Sequence, residues 1–108
     1  MALEITAAGD AKLRISGTST ELSSIYSRLT FGFNYNGSDS GATLYNYSSK
    51  TEYESLPNDL LKIKDFDSYI SFLIDTSTEE QSLETGHEKV KTTLEALGYT
   101  VVIVDLSS

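Results

Sequence analysis

Residues 2–7 and 11–16 both alternate between apolar and polar positions. Leu3, Ile5 and Ala7 share one face of an extended chain, with Glu4 and Thr6 opposite. Leu13 and Ile15 repeat the pattern, with Lys12, Arg14 and Ser16 opposite. Between them, Ala8-Gly9-Asp10-Ala11 supplies a residue for positive φ and a turn-supporting side chain, so the two segments predict a β-hairpin.

The next stretch carries two patterns. Leu22, Ile25 and Leu29 fit a helical stripe, with Thr18-x-x-Glu21 as a capping box. Ile25, Ser27, Leu29, Phe31, Phe33 and Tyr35 instead alternate with Tyr26, Arg28, Thr30, Gly32 and Asn34. The longer, period-two pattern favours a strand from about residue 24 to residue 36. Asn36-Gly37 is a strong turn signal, and residues 42–53 return as a second strand, making a long hairpin over 24–53.

Pro57 suits a first helical position, and Leu56, Leu60 and Ile63 are spaced for a short helix face, although Leu61 to Lys64 also alternates like a strand. Tyr69 to Ile74 is an apolar, β-rich run expected as a buried strand. Ser77 and Glu80 form a capping box for a helix whose stripe is Leu83, His87, Val90, Leu94 and Leu97, with Gly98 as its stop. Tyr99 to Asp105 is a second buried strand. The predicted fold is therefore α+β, in one domain over residues 1–108. Two N-terminal hairpins feed a mainly antiparallel sheet, closed by a strand–helix–strand unit whose helix packs on one face. If the last two strands are neighbours, they are parallel.

Composition narrows the function. The 108 residues suffice for one core, and the absence of cysteine removes disulfides, thiolate nucleophiles and Cys-based zinc sites. The net charge of −8 gathers in residues 50–108, where twelve acids face five bases. Such a field repels phosphate backbones and anionic lipids, so no nucleic-acid or membrane partner is expected. The first residues lack the basic and apolar regions of a signal peptide, and Tyr99 to Asp105 falls far short of the roughly 20 residues of a membrane-spanning helix. A cytoplasmic or virion-borne location is expected. The Ser/Thr/Tyr/Asn/Gly-rich front half resembles small phage or virus particle proteins in composition.

Three places carry candidate chemistry. Asp75 and Asp105 end apolar strands, and in a parallel pair those ends share one sheet edge, where two carboxylates suit Mg²⁺ or Ca²⁺. Asp75-Thr76-Ser77-Thr78 resembles the metal-binding Asp-x-Ser-x-Ser motif of von Willebrand A-type domains, which implies a metal role for Asp75 and Ser77. The motif's last position is Thr here, and the chain runs only one strand further, so the other ligands have no obvious source. The same residues also read as a polar loop, a helix cap and a strand exit. The only histidine, His87, follows Glu84 with Glu-x-x-His spacing, but it also sits in the apolar stripe of its helix.

The third place is the long hairpin. Tyr26, Tyr35, Tyr45, Tyr47 and Tyr53 are mixed with Asn and Ser, a composition that suits protein contact or subunit packing as well as it suits a core. No Gly-rich phosphate loop, nucleophile elbow or Walker-type motif occurs. The expected function is a non-catalytic assembly or protein-interaction module, self-associating through the long hairpin as an edge. A small divalent-metal binder or metal-dependent enzyme, and an acidic regulatory domain for a basic partner, are the alternatives.

Overall fold

A computed structural model describes residues 1–36 and 38–106. Five antiparallel strands form the main sheet: β1 (Ala2–Thr6), β4 (Ser24–Gly32), β5 (Ser40–Tyr47), β6 (Tyr69–Phe72) and β7 (Thr100–Val104). Their order across the sheet is β6-β5-β4-β1-β7. A second pair, β2 (Leu13–Arg14) with β3 (Glu21–Leu22), stands beside it. Helix α1 (Lys50–Ser55) and the longer α2 (Leu83–Ala96) complete the architecture. The α+β expectation holds, with one main helix packed on the sheet.

The alternation read from the chain sorts each strand into two faces. Leu3 and Ile5 of β1, Ile25 of β4, Ala42 and Leu44 of β5, Ile70 of β6 and Val101 of β7 form the main core with Val90 and Leu94 of α2. The favoured strand forms but stops at Gly32, short of residue 36: β4 and β5 pair from Tyr26↔Tyr47 to Gly32↔Gly41. Gly37, half of the expected Asn-Gly turn, lies outside the described residues. The return strand ends at Tyr47, where Ser49 caps α1 by accepting from the Glu52 amide at 3.1 Å. Pro57 thus follows a short helix instead of opening one.

Two pairings differ from the expected ones. The turn at 8–11 forms, closed by reciprocal Ala8 and Ala11 backbone bonds, with Gly9 at φ +55°. Its arms then part. β1 already has β4 on one side and β7 on the other, so residues 13–14 turn away to pair with β3. The last two strands run in the same direction, since four antiparallel steps separate them, yet they occupy opposite edges of the sheet. The central places go to β1, β4 and β5.

Helix α2 begins five residues later than the Ser77 cap would place it. Ser77 is held by Asp75 in a tight turn, and Ser82 caps the helix by accepting from the Thr85 amide at 3.1 Å. Gly98, at φ +105°, ends it as expected.

Two glycines make close approaches of opposite consequence. A Cβ on Gly86 would stand 2.5 Å from Phe31 Cε1, and that ring is wedged against Phe33, Phe72 and His87. The atoms nearest a Cβ on Gly41 belong to the hydroxyl end of Tyr69, the far end of a flexible side chain that is 56% exposed. Alanine at Gly86 gains about 1 kcal/mol of helix propensity, but forced overpacking costs about 1–3 kcal/mol. We therefore expect Gly86→Ala to lower the melting temperature and Gly41→Ala to leave it unchanged or raise it. Thermal denaturation of the two variants showing the reverse order would contradict this packing.

Candidate functional site

The five hairpin tyrosines divide. Tyr26 and Tyr47 are buried, 4% exposed each, on the sheet face away from α2. Tyr53 of α1 closes over them, with ring centroids 5.7 Å from Tyr26 and 5.1 Å from Tyr47, and the Arg28 guanidinium sits 5.0 Å from its centroid. With Ala2 and Val104 these rings make a second, smaller core. Tyr45 is partly exposed, and Tyr35 is 100% exposed in the loop beyond β4. The hairpin itself is internal, because β4 and β5 each have strands on both sides. The expectation that it forms a sheet edge is therefore corrected: the edges are β6 and β7.

Asp75 and Asp105 are not brought together. They follow strands at opposite edges, four strand spacings or about 19 Å apart, because three strands fill the space that a neighbouring parallel pair would have closed. Each carboxylate has a local role. Asp75 Oδ1 accepts from the Ser77 hydroxyl at 2.6 Å and the Ser77 amide at 3.1 Å, which hold the carboxyl below the usual range. Asp105 accepts from the Lys50 ammonium at 2.7 Å and the Tyr26 hydroxyl at 2.6 Å. These two donors, Lys50 first, likewise lower its pKa. Asp105 adopts φ +53°, a left-handed conformation that Asp tolerates better than most residues. It ties the end of β7 to β4 and α1 across the second face. Among the described residues, no three His, Asp or Glu side chains converge as a metal-binding group.

His87 is 2% exposed on the core side of α2. Its Nδ1 lies 2.7 Å from the Leu83 carbonyl oxygen, which only accepts, so Nδ1 carries the proton. Nε2 is buried, with no hydrogen-bond partner in normal geometry among the described residues. Phe31 meets the ring edge-on at 5.1 Å. Burial, the largest influence, lowers the imidazole pKa. Among the described residues no metal-binding group of three His, Asp or Glu includes it, and the Glu-x-x-His spacing places Glu84 out on the exposed surface.

The feature that the residue pattern concealed is the outer edge of β7. Thr100-Val101-Val102-Ile103-Val104 carries no charge, proline or bulge, and among the described residues it pairs with β1 alone. Antiparallel pairing on one side leaves alternate backbone N–H and C=O groups directed outward. Val102 is 51% exposed on one face, and Leu106 just beyond the strand is 68% exposed. A groove of about 470 Å³ runs between β7 and α2, lined by Met1, Glu84, Glu88, Lys91, Val102, Ile103 and Leu106. The uncharged run from residue 99 to 104 was the available signal; it reads equally as a buried central strand, and only its position at an edge makes it a surface.

Searches against models of known protein families, curated proteins and solved structures return no match to this chain.

Proposed function

We propose that this protein is a non-catalytic assembly or protein-interaction module that accepts an extended strand along the outer edge of β7. The observation that supports the reading is that edge itself: five β-branched residues without the charges, proline or bulge that keep a sheet edge from pairing. Added strands are held by main-chain hydrogen bonds, while pockets beside the edge select their side chains. The groove between β7 and α2 supplies such a pocket, with apolar walls at Ile103 and Leu106 and charges at Glu84, Glu88 and Lys91.

The test is a blocked peptide copying residues 99–106, flanked by lysines for solubility, titrated into isotope-labelled full-length protein. Amide shifts confined to residues 99–106 and to the Glu84–Lys91 face of α2 are the expected result. Saturating peptide that shifts nothing there, or shifts β6 instead, would remove the proposal.

A further inference from the structure

We infer that the strand paired with β7 is the β7 of a second copy, forming a two-fold dimer in which the two sheets continue into one. This rests on the reading of β7 as an open, strand-accepting edge, and four observations single out the occupant.

The first is the guarding of the two edges. β6 has only four residues and is preceded closely by Asp67, an acid that discourages strand addition. β7 is followed by Asp105, but that carboxylate is turned onto the second face by Tyr26 and Lys50 and does not guard the edge.

The second is direction. Because β6 and β7 run the same way, a translated copy would join them in parallel and leave an open filament. A two-fold axis joins β7 to β7 antiparallel, the slightly stronger pairing, and closes after two chains.

The third is self-complementarity. With the axis at Val102, the middle residue of Thr100–Val104, each exposed Val102 meets its copy on one face. Apolar β-branched pairs of this kind are favourable across strands.

The fourth is charge. α2 runs back along β7, so the groove presents Glu84, Glu88 and Lys91 in order from the C-terminal toward the N-terminal end of the strand. The two-fold reverses that order on the partner and sets each Lys91 toward the partner's acids. The net charge of −8 on each copy opposes association at long range, but a Debye length of about 8 Å at physiological salt screens it more than it screens contacts.

The experiment is sedimentation velocity and light scattering of the full chain from micromolar to millimolar concentration. Wild type is expected to move from 11.8 kDa to twice that mass. Val102→Lys and Val102→Glu each place like charges opposite one another across the axis, so each alone is expected to stay monomeric with an unchanged circular dichroism spectrum. An equimolar mixture of the two is expected to recover the doubled mass. A wild type that stays monomeric throughout overturns the dimer; if the β7 peptide still binds, only the second-copy inference falls, and if it does not, the edge reading falls too. A mass growing beyond the dimer with concentration also overturns it, as does a dimer indifferent to either charge at Val102.

Discussion

Truncating Leu94 to alanine is expected to destabilise the fold by about 2–5 kcal/mol, while the same truncation at Leu97, one turn on, is expected to change almost nothing. Leu94 is fully buried, and it is packed with Leu3, Ile5, Val90 and Val101 where the helix meets the sheet. Its carbonyl also accepts the Tyr99 amide at 3.2 Å, at the turn that reverses the chain into β7. The surrounding cluster is closely packed, so the truncation leaves a cavity in the middle of the main core. Leu97 is 55% exposed, and Leu83 at the opposite end of the helix is 58% exposed. All three belong to one apolar stripe in the sequence. Each kcal/mol is worth roughly 4–8 °C of melting temperature in a domain of this size, so thermal denaturation separates the variants easily. Comparable losses at Leu94 and Leu97 would mean that the helix sits on the sheet in another rotation.

The second large effect is the response to acid. The folded state holds His87 neutral and lowers its pKa, chiefly through burial, whereas the unfolded chain protonates near its ordinary value of about 6.5. The unfolded state therefore binds the proton first as pH falls. The stability contributed by neutral His87 is present above that value and is lost on acidification below it. Asp65, Asp75, Glu79 and Asp105 are also lowered, each by donated hydrogen bonds, but their contributions are lost only near and below the carboxylate range of about 4. The amino terminus, lowered mainly by burial, is common to every variant.

Between about pH 7.5 and about pH 5, the wild-type melting temperature should thus fall more steeply than that of His87→Leu, whose side chain keeps an apolar contact for Phe31. Equal slopes for the two proteins would show that His87 is not held neutral in the folded state.

The same imidazole explains part of what was legible in the chain. Its place in the apolar stripe indicated a packed ring, which Phe31 meets edge-on. Glu-x-x-His spacing indicated a ligand pair equally well, and only the burial of His87 beside an exposed Glu84 separates the two readings. The tyrosines were less legible. Tyr26 lies on the face opposite Phe31, a face the alternation marks as polar, and it is buried because α1 folds Tyr53 back across it. That contact joins residues distant along the chain and leaves no periodic trace.

What the chain determines by itself is local: which segments extend, which coils, where turns fall, and which side of each element is apolar. Two-residue and 3.6-residue periods are properties of neighbouring positions, so strands β1, β4, β5, β6 and β7 and helix α2 were all anticipated. Strand neighbours are a different kind of fact. Any apolar-faced strand can pair with several others, and the choice belongs to the energy of the whole sheet. Tertiary structure alone set β1 between β4 and β7, sent the two late strands to opposite edges, and so separated Asp75 from Asp105. By the same choice it turned an uncharged run that reads as interior into an open border.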